Sequence, residues 1–113
     1  MNKVSPMSPI PLECLDLEPM ASGDQSLRLS TQVTWQAFPS YARDLIAHLN
    51  GTITSRADSP VERVWTVQIQ GELFWIAFDD FALGISLDPQ NEAASQLVPE
   101  IRTYLLQLRD SGT

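Results

Sequence analysis

With 113 residues, 43% of them hydrophobic and 19% charged, the chain carries enough apolar surface for one core, which argues against wholesale disorder. Fourteen acidic residues against seven basic ones leave a net charge of -7, the wrong sign for neutralising nucleic-acid phosphates or an anionic membrane. No apolar run approaches the roughly 20 residues that span a bilayer, and the lone cysteine, Cys14, allows no internal disulfide.

Residues 1–11 read as a disordered or extended tail punctuated by Pro6, Pro9 and Pro11, without the basic start and apolar stretch of a secretory signal. A cytoplasmic location is therefore expected, with one folded domain over residues 12–110. Leu12 to Glu18 alternates loosely, as a first strand would, and Pro19 to Ser26 is predicted as a loop around Gly23 and Asp24. Leu27, Leu29, Thr31, Val33 and Trp35 then alternate with Arg28, Ser30, Gln32 and Thr34. Successive strand side chains point to opposite faces, so this pattern predicts a strand with one buried side.

Phe38, Ala42, Leu45, Ile46 and Leu49 fall on one stripe at helical spacing. Pro39 suits the first turn of that helix, and Asn50-Gly51 supplies a stop. Residues 52–56 are short and β-prone, and Ala57 to Pro60 read as a loop. Arg63–Ile69 and Glu72–Phe78 flank Gln70-Gly71, a two-residue hairpin turn. Counting outwards sets Ile69 against Glu72, Val67 against Phe74 and Trp65 against Ile76. One face then carries Trp65, Val67, Ile69, Phe74, Ile76 and Phe78, a core face. The other carries Val64, Thr66, Gln68, Leu73, Trp75 and Ala77.

Ile85 and Leu87 alternate with Ser86 in a last strand, after a loop from Asp79 to Gly84. Asp88-Pro89 is predicted to open the C-terminal helical region, whose stripe runs Ala93, Ala94, Leu97, Ile101, Tyr104, Leu105 and Leu108. Pro99 interrupts it, which predicts a kink or two abutting helices. The expected fold is α+β: a single antiparallel sheet of about five strands with two helices on one face, in the order β-β-α-β-β-β-α.

No residue set stands out as catalytic. His48, the only histidine, falls in the last turn of the first helix, and no G-x-S-x-G elbow accompanies it. Asp79-Asp80 fails the alternating pattern of a calcium loop, since Phe81, Ala82 and Leu83 follow. Five separate glycines offer no phosphate-cradling loop, and one Cys with one His cannot chelate a structural zinc. Neither a metal nor a cofactor is expected.

The aromatic residues carry the stronger signal. Trp65 belongs to the core, and Trp35 to the core side near Phe38. Trp75 falls on the outer face with Leu73, in reach of Thr66, Gln68, Arg28, Ser30, Gln32 and Ser86. An indole buries much area at little entropy cost, so this composition suits a recognition patch. The plainer alternative is cover by the N-terminal strand, the tail or a twin subunit. Six carboxylates and no Lys or Arg lie between Glu72 and Ile101, a negative field that favours a basic partner or serves solubility alone.

Trp35-x-x-Phe38-Pro39 entering a helix, Asn50-Gly51 after it, Trp65 in a strand, Gly71, Phe78-Asp79-Asp80-Phe81 and Gly84-Ile85-Ser86-Leu87 together resemble a small, uncharacterised proteobacterial family of unknown function, over residues 25–105 or so. The resemblance implies a bacterial cytosolic protein and transfers no catalytic residue. The expected role is a non-catalytic interaction domain of immunity, antitoxin or accessory kind. It would bind a protein, or itself as a homodimer, through Trp75, Leu73, Thr66, Gln68, Arg28, Asp79 and Asp80. A small-ligand or carbohydrate module stacking on Trp75 is the alternative, and a metal-dependent hydrolase at Asp79, Asp80 and Asp88 the third reading.

Overall fold

The computed structural model describes residues 10–79 and 84–111. In chain order it forms β1 (Leu17–Pro19), β2 (Gln25–Ser30), α1 (Phe38–His48), β3 (Thr52–Asp58), β4 (Glu62–Ile69), β5 (Glu72–Asp79), β6 (Gly84–Pro89) and α2 (Glu92–Ser111). The strands make one antiparallel sheet in the order β1-β2-β6-β5-β4-β3. The fold is α+β as expected, with six strands rather than five.

At its centre is the β4–β5 hairpin in the predicted register, Ile69 with Glu72, Val67 with Phe74 and Trp65 with Ile76. Gln70 and Gly71 both have positive φ, 53° and 83°, as the tight turn that matches strand twist requires. Trp65, Val67, Ile69, Phe74, Ile76 and Phe78 are all buried. Leu27, Leu29, Ile85 and Leu87 extend this layer, α1 packs over β3 and β4, and α2 packs over β2, β5 and β6. The helices thus cover one face of the sheet. Phe38 seats the start of α1 by meeting the Trp65 ring edge-on at 5.2 Å.

Four boundaries differ from the sequence reading, each for a local reason. β3 is a full strand of seven residues, whereas only a short β-prone stretch was expected. It is an edge strand whose side chains are mostly exposed, so it lacks the alternation that burial imposes. β1 is confined to Leu17–Pro19 because Leu15 turns left-handed at φ 54°. Leu12 and Leu15 are nonetheless buried. The segment is tied down from α2, where the Arg102 Nε donates to the Leu15 carbonyl at 2.6 Å.

β2 begins two residues early and stops at Ser30 after a bulge between Arg28 and Ser30, so Thr31, Val33 and Trp35 are not part of it. Finally, β6 runs through Asp88 and Pro89, and the cap of α2 is Asn91, whose side-chain oxygen accepts the Ala94 N–H at 2.7 Å. α2 continues through Pro99 as one helix, burying Ala94, Val98, Ile101 and Leu105, a narrower stripe than predicted. No helix among the described residues is long and apolar enough to cross a membrane.

Candidate functional site

The helix-free face of the sheet is the first place to look for a site, because the pleat brings every second residue of six strands onto it. Pairing puts Trp75 between Thr66 of β4 and Asp88 of β6. Asp88 in turn accepts a hydrogen bond from the Ser26 hydroxyl at 2.5 Å. The row crossing the sheet is therefore Glu18, Ser26, Asp88, Trp75, Thr66 and Ser55. Leu73 pairs with Gln68 on one side of this row, and Ala77 with Val64 on the other.

Trp75 is 43% exposed and Leu73 40%, both large apolar groups left in water. Trp75, Leu73, Thr66 and Gln68 thus share one patch, as the hairpin register predicted. Arg28 lies on the same face but two strands away, opposite Ser86. Its guanidinium is 3.4 Å from the Glu18 carboxylate.

Ser30 and Gln32 do not join this patch. The bulge pairs Ser30 with Ile85 and buries it, its hydroxyl taking the Gln32 N–H at 3.0 Å, and Gln32 lies past the end of the strand. Asp88 belongs to β6 and not to a helix cap. Asp79 ends β5 opposite Glu62 and Gly84; its side chain, and Asp80 altogether, lie outside the described residues. Among the described residues no three His, Cys, Asp or Glu side chains gather in a way that would hold a metal ion.

The other arginines are drawn to other parts of the molecule. Arg56 and Arg43 lie over the Trp65 ring at 4.8 and 5.9 Å, and Arg63 over the Trp35 ring at 3.7 Å. Arg102 and Arg109 donate to the carbonyls of Leu15 and Leu12. The open face therefore carries the Asp88 carboxylate directly beside Trp75, and toward β1 the Glu18 carboxylate offset by Arg28.

Cys14 and His48 serve separate surroundings, with no hydrogen bond between them. Burial first, then the neighbouring Glu13 carboxylate, push the Cys14 thiol above its ordinary pKa, so it stays protonated at neutral pH. His48 instead borders a groove of about 290 Å³, where the end of α1 meets the β4–β5 turn and α2. Sequence reasoning missed this groove. It had put Tyr104 in the core stripe, whereas the side chain is 42% exposed and lines the groove with Glu100. The polar neighbours Glu100, Thr103 and Gln107 on the same helix side were the available signal.

A family model described as "Protein of unknown function (DUF3630)" matches residues 15–109. The chain belongs to this family. No curated protein and no solved structure gives a match. The DUF3630 match takes in all six strands, so the open face and the groove both lie within it.

Proposed function

We propose that this DUF3630 chain is a non-catalytic interaction domain that docks a protein partner across the open face of its sheet. The observation that carries the reading is Trp75, half in water at the middle of that face with Leu73 beside it. A tryptophan so placed suits the anchor of an interface, where truncation costs about 2 kcal/mol or more, roughly a thirtyfold loss of affinity. The surround of Thr66, Gln68 and Ser55 offers hydrogen-bonding groups without a charge to desolvate. Asp88 beside Trp75, with the net charge of -7, favours a partner that pairs an apolar patch with basic residues. The charge also suits an acidic accessory of immunity or antitoxin kind in the bacterial cytosol that the family resemblance suggests.

The test is an unbiased pull-down with wild-type and Trp75→Ala protein side by side, read by mass spectrometry, with light scattering on the same samples. The expected result is a partner retained by the wild type and lost by Trp75→Ala. Equal retention by both would remove the open face from the argument. A wild-type dimer that Trp75→Ala dissolves would make the partner a second copy of the chain.

A further inference from the structure

We propose that the groove at the end of α1 is a binding site for a guanidinium group. Its walls come from three places distant in sequence: His48 and Asn50 after α1, Gln70 in the β4–β5 turn, and Glu100 and Tyr104 on α2. Leu49, Ile69 and Ile101 supply its apolar surface. A second, shallower hollow of about 380 Å³ is also lined by Glu100 and Tyr104, so that the exposed Tyr104 ring borders both. Among the described residues, none of these five polar side chains has a hydrogen-bond or ion-pair partner within the protein. Where polar side chains are buried on this fold they find partners, as Arg63 and Ser26 do. The five that border this groove face water instead, so a ligand seated there would meet donors and acceptors that no protein group already holds.

The chemistry of the walls selects the ligand's charge. Glu100 is a carboxylate, no Lys or Arg among the described residues lines either hollow, and the C-terminal end of α1 presents the negative pole of the helix. Glu72, paired with Ile69 on the helix side of the sheet, adds a second carboxylate near the same turn. An anion would meet repulsion here. A metal ion would lack ligands, since a hard cation needs several oxygens at fixed geometry and one carboxylate faces the groove.

A planar organic cation has what the site asks for. Guanidinium presents five N–H donors in one plane and stacks on aromatic faces. Glu100 and the side-chain oxygens of Asn50 and Gln70 are acceptors, and Tyr104 offers a face for cation–π contact. The groove lies on the helix side of the molecule, so this inference stands apart from docking on the Trp75 face.

Titrating 15N-labelled protein with arginine amide, and separately with a short arginine-containing peptide, tests the proposal. Saturable shifts confined to the amides of Asn50, Gln70 and residues 100–104 are expected. Glu100→Gln and Tyr104→Ala should each weaken the response at least tenfold, and Tyr104→Phe should preserve it. Both positions are exposed, and an unchanged spectrum elsewhere verifies that each variant folds. Tighter binding of the peptide would mark the ligand as a protein side chain; equal binding would mark a small molecule. No saturable shift with either probe would overturn the proposal. So would a response that survives Glu100→Gln, or one spread evenly over the acidic surface.

Discussion

The Arg63 guanidinium stacks 3.7 Å from the centroid of the Trp35 ring while its Nε donates to the Trp35 carbonyl at 3.0 Å. Arg63 is only 9% exposed, and its other end meets the Asp58 carboxylate at 3.1 Å. The same Asp58 oxygen accepts the Trp65 indole N–H at 2.9 Å, and the Trp35 indole N–H donates to the Ser59 carbonyl at 2.9 Å. This group of side chains fastens the segment before α1 to the β3–β4 turn. Arg63→Ala leaves the Trp35 carbonyl unpaired and weakens the hold on Asp58, at a cost of about 2–3 kcal/mol. Arg63→Lys should recover less than half of that, because an ammonium keeps the charge but loses the planar fork and the stack. Urea unfolding followed by tryptophan fluorescence reads both values.

The two tryptophans of the central hairpin should respond oppositely to truncation. Trp65 is buried against Phe38 and its indole N–H is engaged, so Trp65→Ala should cost about 3–5 kcal/mol. Trp75 faces water on the other side of the same sheet, and Trp75→Ala should cost less than about 1.5 kcal/mol. Urea midpoints of the two variants compare them directly. A Trp75→Ala protein as unstable as Trp65→Ala would mean that the outer indole serves the fold instead of a partner.

Gly84 should be intolerant of any side chain. Its φ is 110°, and an added Cβ would stand 2.1 Å from the Ser30 carbonyl oxygen and 2.8 Å from the Thr31 Cα. Both obstacles are backbone, so neither can swing aside. Gly84→Ala therefore combines left-handed strain of about 1–3 kcal/mol with a steric push on the bulged end of β2. An overall loss above about 2 kcal/mol is expected, seen as a lowered Tm. Gly71→Ala, at φ 83° with nothing within 4 Å, should show the strain alone and a smaller loss.

What the sequence made legible follows from where burial is one-sided. The β4–β5 hairpin alternates cleanly and its Gln-Gly turn fixes the count, so register and the outward aim of Trp75 could be read residue by residue. β3 could not, since an exposed edge strand is under no pressure to alternate. The end of β2 was overrun because Val33 and Trp35 keep the period of a strand after the chain has bent at Ser30; Val33 is held in the hydrophobic core from outside the strand, and Trp35 by Arg63. Asp88-Pro89 resembled a helix cap, but ladder pairing with β5 prevailed and passed the cap to Asn91. The groove escaped notice for a different reason. Residues 48–50, 69–70 and 100–104 meet only once the helices are laid on the sheet, and no local pattern announces that meeting.

The dependence of stability on pH should have two limbs, an alkaline one carried by Tyr41 together with Cys14 and an acid one carried by Glu13. The Tyr41 hydroxyl donates to the Pro11 carbonyl at 2.8 Å, and burial first, then the nearby Glu13 and Cys14, hold its pKa above the ordinary 10. An unfolded tyrosine ionises near pH 10 while the folded one keeps its proton. The contribution is therefore complete below about pH 10 and is lost as pH rises beyond it. Tyr41→Phe should shrink that alkaline limb to the part the raised Cys14 thiol carries, and cost about 1 kcal/mol at neutral pH through the lost hydrogen bond.

Glu13 works in the opposite sense. Burial alone would raise its pKa, but the Thr31 N–H at 2.6 Å, the Thr31 hydroxyl at 3.0 Å, its own backbone N–H and the Ser30 hydroxyl together bring it below 4.5. Its contribution is present above about pH 4.5 and disappears as pH falls through the lowered value. The side chain is exposed, so the effect after solvent screening should stay below about 1 kcal/mol. Urea midpoints of wild type, Tyr41→Phe and Glu13→Gln across the pH range separate the limbs: Tyr41→Phe shrinks the alkaline one and leaves the acid one, whereas Glu13→Gln flattens the acid one and trims the alkaline one by removing a charge near Tyr41. An alkaline limb of unchanged size in Tyr41→Phe would assign that loss of stability to another group and detach Tyr41 from the anchoring of Pro11.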